Sequence, residues 1–337
     1  MARALPRRSA AMRPRWRPAR LAPLPAALAL GGCDRGQSAL NAAGLESRLV
    51  LELFVVMAVG TLLIWAAVLL LAFWSTRATR SRAFAHRLVV AGGLVVTPVV
   101  VLALLVHGLR LMPALRDVPA EWTVRIDGEQ YWWRIGYSGD GQEATGANEL
   151  VLPRGEATEL LLASEGVIHS LWVPALAGKM DMIPGRTNRL VVRPERAGVF
   201  RGQCAEFCGT GHAHMALVVR VLEPEAFREW LRSQREPARS PERPEARDGE
   251  RLFLATGCGA CHTIRGTAAD GTMGPDLTHY GSRGSVAAGL YPMNIGTTAG
   301  WIAGAQEIKP GSLMPSFGRA LDGEQLRAIA AYLVSLE

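Results

Sequence analysis

The chain of 337 residues is long enough for two or three domains, each with its own core. It is 49% hydrophobic with a formal charge of +7, but residues 1–32 carry seven arginines and no acid, so the remainder balances 30 basic against 30 acidic residues. That balance lacks the electrostatic footprint of a nucleic-acid binder.

The arginine-rich start (Arg3 through Arg20) leads into a small apolar run, LAPLPAALALGGC, and reads as an export leader over 1–32. Leu30-Gly31-Gly32-Cys33 resembles a bacterial lipoprotein processing site, which makes Cys33 the candidate for lipidation. Residues 33–48 follow as a short external segment. Two spans are then expected within 49–112. Residues 54–74 give 21 positions without a charge and residues 88–106 give 19 more. At about 1.5 Å rise per residue each is long enough for a hydrocarbon core of roughly 30 Å. Pro98 is expected to kink the second span. The loop between them holds Arg77, Arg80, Arg82 and Arg87 and no acid, which places it in the cytoplasm and everything after about residue 112 outside.

Residues 113–234 read as short strands punctuated by Pro and Gly, the pattern of a β-sandwich, closed by a helix near residues 225–231. Late in this domain lies CAEFCGTGHAHM, residues 204–215, with the spacing C-x3-C-x3-H-x2-M. A disulfide between Cys204 and Cys208 is conceivable outside the cell and leaves the histidines and Met215 unexplained. Structural zinc rarely takes a thioether. Two thiolates, an imidazole and a thioether together select copper by softness. Another loop has to add a ligand, and His169 is the only histidine of this domain outside the motif.

Residues 235–247, REPARSPERPEAR, pack three prolines and seven charges into thirteen positions and read as an extended, solvated linker. In 248–337 two helical runs flank a glycine-rich middle, and Leu326, Ile329, Ala330 and Leu333 mark one apolar face of the last helix. Cys258-Gly259-Ala260-Cys261-His262 is the c-type haem attachment pattern: two thiols for the two vinyl groups and a histidine for the iron. A redox dithiol lacks its βαβ context, and no cysteine remains for a zinc site. The second axial ligand is expected from Met314 in SLMPSFG, ahead of the final helix, over Met273, Met293 and the weaker candidate His279. This region resembles a class I cytochrome c in C-x-x-C-H, Gly274-Pro275-Asp276-Leu277 and Met314-Pro315.

Residues 45–235 resemble subunit II of haem–copper cytochrome c oxidases through His169-Ser170 with Pro174, Lys179-x-Asp181-x-x-Pro184-Gly185-Arg186, and C-A-E-x-C-G-x-x-H-x-x-M. With its fused cytochrome the chain is similar to the caa-type branch. The resemblance implies a two-helix transmembrane hairpin, an all-β cupredoxin-like sandwich and an all-α class I cytochrome c domain. It implies a dinuclear copper centre with bridging Cys204 and Cys208, terminal His169, His212 and Met215, and the Glu206 carbonyl. It also implies a magnesium ion shared with subunit I through the Glu206 side chain, and a solvent-facing His214 without a role. Gln130-Tyr131-Trp132-Trp133 occupies the family's aromatic block, where many members receive electrons on a tryptophan. Here that position is Tyr131, so Tyr131, Trp132 and Trp133 are all candidates. Many members carry a glutamate at the start of the second span; this chain reads Ala85-His86-Arg87-Leu88, and Glu52 is expected as an interfacial charge.

The function implied is the electron-transfer subunit of a proton-translocating cytochrome c oxidase in a bacterial inner membrane, with copper and haem domains on the periplasmic side. Oxygen reduction belongs to subunit I. Subunit III is a further partner, and cytochrome c or a quinol–cytochrome c reductase is the donor. A quinol-oxidase scaffold and a membrane copper-binding assembly factor are the competing readings.

Overall fold

The computed structural model describes residues 37–75, 81–116, 119–139 and 141–337. The leader, Cys33, Arg77 and Arg80 lie outside the described residues. Helix α1 (Leu45–Ser75) is leucine- and valine-rich, and from Phe54 on its side chains are mostly exposed. Thr61 returns its hydroxyl to the Met57 carbonyl at 2.8 Å, so its polar group is satisfied without water. The second apolar run is continuous in three parts: α2 (Arg82–Val90), a π-helical stretch (Ala91–Val96) and α3 (Thr97–Arg116). Two helices this apolar with no buried face are suited to lipid. The break expected at Pro98 takes the form of that π-helical widening. Pro98 has no N–H and its ring crowds the preceding turn, and the widened register reaches from Thr97 back to the Gly92 carbonyl. Glu52 pairs with Arg48 at 3.0 Å, as an exposed charge near the start of α1.

After α3 the chain alternates inward apolar and outward polar residues. Ten strands build two five-stranded sheets: β1 (Trp122–Glu129), β2 (Trp132–Gly139), β3 (Gln142–Ala147), β4 (Glu149–Pro153), β5 (Thr158–Ser164), β6 (His169–Trp172), β7 (Met180–Met182), β8 (Asn188–Val192), β9 (Gly198–Cys204) and β10 (Ala216–Leu222). One sheet has the order β3-β2-β1-β5-β8, the other β4-β10-β9-β6-β7. Trp122, Val124 and Ile126 from β1 and Trp133, Ile135 and Tyr137 from β2 point into the shared core, opposite Leu217, Val219 and Val221 of β10. Helix α4 (Pro224–Ser233) closes one end through Phe227 and Leu231, with the Phe227 ring edge-on to Trp122 at 5.0 Å.

The proline-rich segment that follows is extended but not free. The Gln234 carbonyl accepts from Arg265 at 2.6 Å, the Glu236 carbonyl from His279 Nε2 at 3.0 Å, and Ala238 donates to the Arg265 carbonyl. Residues 244–247, expected in the linker, form the first turn of α5 (Pro244–Ala255). Pro244 supplies the fixed φ of a helix start, and Glu245 pairs with Arg327.

The third unit holds α5, α6 (Ile295–Ala303), α7 (Ala305–Ile308) and α8 (Gly323–Val334). An Asp322–Gln325 capping box starts α8. Its burial is wider than the single face expected, taking in Ala328, Ala331 and Tyr332 as well, because α8 packs against both α5 and α6. The crossing of α5 on α8 is close: a Cβ on Gly249 would lie 1.9 Å from the Ala328 carbonyl oxygen. Gly249→Ala is therefore expected to force the helices apart and cost about 1–3 kcal/mol, read as a lowered melting temperature of this unit by calorimetry.

Candidate metal centre and haem cavity

Cys204 ends β9, Met215 precedes β10, and the loop between is tied at its base by Cys204 N–H to the Met215 carbonyl (2.9 Å). Its crown is held by Gln130 Nε2, which donates to the Cys208 carbonyl at 2.8 Å. His169 enters from β6, whose Ser170 carbonyl accepts from Ala205 N–H. The ring is fully buried, with Nδ1 3.7 Å from Cys204 Sγ and the Trp133 ring 6.3 Å away, edge-on. Cys204 and Cys208 sulfurs face each other at 3.9 Å, well beyond an S–S bond and with room for bridging atoms. His212 Nδ1 lies 3.7 Å and Met215 Sδ 4.0 Å from Cys208 Sγ, and the Glu206 carbonyl 3.1 Å from Cys204 Sγ. The donors expected from the sequence are thus brought together. Two thiols, two imidazoles, a thioether and a carbonyl in a buried pocket suit soft, copper-like ions.

Sharing one hydrogen bond splits the two thiols. The bond from Cys208 holds Cys204 well below the thiol range, and the same bond pushes Cys208 above it. His214, expected to face solvent, is half-buried with Nδ1 shut away from water, because the short 3₁₀ turn at His212–His214 folds it back against the loop. The Glu206 carboxylate is partly exposed, 3.8 Å from Lys179 Nζ. Beside it Lys179, Asp181, Arg186 and Arg189 line an open groove of about 650 Å³. The Asp181 carboxyl is held below its ordinary range chiefly by Lys179, and then by Ser170.

Of the residues expected to attach a haem, Cys258 opens a 3₁₀ turn (Cys258–Ala260) after α5, and Cys261 and His262 follow it. His262 Nδ1 donates to the Pro275 carbonyl at 2.8 Å, which fixes the tautomer and leaves Nε2 for a ligand; burial pushes its pKa down, keeping the ring neutral. Cys258, Cys261, His262 and Met314 line one cavity of about 340 Å³, together with Leu277, Ile302, Phe317, Ile329 and Leu333. Arg283 adds a cation to this apolar wall, which suits a flat apolar group bearing carboxylates, and the stem of Lys309 also reaches it. Met293 lies off the cavity, its sulfur accepting from Thr298 at 3.8 Å, and His279 holds the linker instead. Met273 reaches the rim but is 73% exposed.

The three aromatic candidates take different places. Trp133 is buried in the sandwich core, donating to the Ala216 carbonyl. Trp132 lines the haem cavity beneath the Arg134 guanidinium, 4.6 Å from its ring. Tyr131 does both jobs at once. It lines the haem cavity, and its ring lies against the backbone of the ligand loop, where a Cβ on Gly211 would come within 2.3 Å of the ring. Sequence reasoning missed Gln130 and Lys309. The signal for Lys309 was available: the chain has 35 arginines and only two lysines, Lys179 and Lys309.

Comparison with known proteins places two families along the chain. Residues 137–222 match the family model "Cytochrome C oxidase subunit II, periplasmic domain", and residues 246–337 match "Cytochrome c". Cytochrome c oxidase subunit 2 of Alkalihalophilus pseudofirmus is 34% identical over 214 residues, covering 64% of this chain and 61% of that relative. The chain therefore spans less than two thirds of that protein's length. The subunit 2 of Cereibacter sphaeroides is 30% identical over 229 residues, covering 55% of this chain and 75% of that one. The periplasmic domain of subunit II (CoxB) of Bradyrhizobium japonicum aligns at 30% identity over 35% of this chain and 95% of that structure, with a TM-score of 0.33.

Metal uptake needs both sulfurs as thiolates. The hydrogen bond the two thiols share favours the thiolate on Cys204 and holds the proton on Cys208. Binding is expected to release about one proton near pH 7 and to weaken about tenfold from pH 8 to pH 7. Calorimetry of copper uptake in buffers of different ionisation enthalpy measures both.

Proposed function

Because the chain belongs to the cytochrome c oxidase subunit II family, we propose that it is the electron-transfer subunit of a haem–copper oxidase, relaying electrons from a covalent c-type haem through a dinuclear copper centre to an oxygen-reducing partner. The observation that carries this reading is Tyr131, one side chain in contact with both the haem cavity and the ligand loop. A quinol-oxidase scaffold or a membrane copper-binding assembly factor has no use for that shared contact.

Cys204, Cys208, His169, His212, Met215 and the Glu206 carbonyl would hold the copper ions. Cys258 and Cys261 would carry the haem, and His262 and Met314 would ligate its iron. When bound, these groups supply centres that gain and lose single electrons. The protein's part is rigidity. His169 is clamped in the core, the loop is tied at base and crown, and His262 is fixed by Pro275, so none of the donors has to move as charge changes. Tyr131 is the receiving residue, in place of the tryptophan of many relatives. Trp132 is a rim contact, and Trp133 supports His169 from behind.

The charged groove beside Glu206 is where subunit I docks, with the Glu206 carboxylate free to share a magnesium ion there. Subunit III completes the complex, and cytochrome c or a quinol–cytochrome c reductase supplies electrons. The two apolar helices span a bacterial inner membrane with Arg82 and Arg87 at its cytoplasmic face, which leaves both metal domains in the periplasm. Cys33 is the lipidated residue.

Rapid mixing of the loaded chain with less than one equivalent of reductant tests the relay. Haem reduction is expected first, followed by haem reoxidation as copper absorbance bleaches; a haem that stays reduced beside oxidised copper contradicts the reading. Met314→Leu is expected to abolish the thioether–iron charge-transfer band of the oxidised haem and to lower its reduction potential, while Met293→Leu leaves both unchanged. Loss of the band in Met293→Leu instead would overturn the axial assignment.

A further inference from the structure

Lys309 caps the end of α7, with only 2% of its surface exposed. Its Nζ donates to the Tyr131 carbonyl at 3.0 Å and to the Ala287 carbonyl at 2.8 Å. The amine therefore joins the copper-domain turn between β1 and β2 to a loop of the cytochrome domain. Burial alone pulls its pKa down to about 7; no carboxylate offsets that cost. A methionine would fill the same space without desolvating an ammonium. What only the amine supplies is a pair of directed bonds, one on each side of the seam.

The seam around it is close-fitting and polar. Thr210 donates to the Pro310 carbonyl at 2.9 Å, Arg134 to the Thr272 carbonyl at 3.0 Å, and Gly284 N–H to the Glu149 carboxylate at 3.0 Å. Gly311, at φ +84°, brings its backbone against Thr210 and the Tyr131 ring, where a Cβ would lie 2.5 Å from the Thr210 hydroxyl. A chain that otherwise uses arginine almost throughout places one of its two lysines here. Arginine's broad planar fork does not fit a site that offers two carbonyls to a compact donor.

We propose that Lys309 is a positioning residue that locks the haem-bearing domain in one register on the copper-binding domain, with the haem cavity held over Tyr131. The proline-rich segment is then a strap on a fixed joint, and no docking step precedes electron transfer. The kinetic consequence rests on the relay reading above; the lock itself does not.

Hydrogen exchange on the full, metal-loaded chain reads the lock directly. Lys309→Met is expected to speed amide exchange at residues 129–133 and 285–290 by about tenfold or more, and Lys309→Gln to recover part of the protection. Wild-type exchange rates in Lys309→Met overturn the proposal. Flash reduction of the haem in the wild-type chain supplies a second test that needs no variant. A haem-to-copper rate independent of solvent viscosity is expected, and a rate that falls as viscosity rises overturns the lock. Missing copper or haem signals would count against the relay, while exchange would still judge the lock.

Discussion

The contact on which the two metal sites depend is the Tyr131 ring lying on bare backbone. Gly209 and Gly211 of the ligand loop and Gly311 of the cytochrome domain leave no side chain between their main chains and the ring. Any Cβ at these places would push the ring off the loop, off the cavity, or off both. The donor loop is therefore shaped twice, once by the ligands it presents and once by the tyrosine it receives. Thr210, between the two glycines, points its hydroxyl across to Pro310 and ties the same loop to the haem-bearing unit.

Each cofactor site is otherwise built by local means. The copper-type donors hang from two neighbouring strands of one sheet, β6 and β9, so sheet register sets the His169–Cys204 spacing. The haem-type donors use the end of a helix, a carbonyl that orients the histidine, and an apolar cavity. Joining them is costly in desolvated charge, since Lys309 is buried without a carboxylate. Two directed hydrogen bonds at the seam are the return on that cost.

Much of this was legible in the sequence because it is carried by short spacings. C-x-x-C-H, C-x3-C-x3-H-x2-M and two long apolar runs each state a local requirement, and strand alternation states the sandwich. His169 was legible by elimination, as the one histidine left in its domain, and through the His169-Ser170 block of the resemblance. What was hidden depends on contacts between distant segments. Composition marked 235–247 as solvated, yet the Glu236 carbonyl and the Ala238 N–H bond His279 and Arg265 in its first half, and helix α5 begins within its second. His214 looked like filler because nothing in its spacing reveals the turn that buries one ring nitrogen. Pro98 announced a disturbance but not its form, which depends on how the preceding glycines let the helix widen.

The claim on which the rest stands is that Cys204 and Cys208 bridge two copper ions. Electron paramagnetic resonance of the copper-loaded, partly oxidised chain tests it most directly, with metal content measured on the same sample. One unpaired electron shared equally by two copper nuclei, at two coppers per chain, is the predicted result. A spectrum of one isolated copper, or of none, would contradict the account.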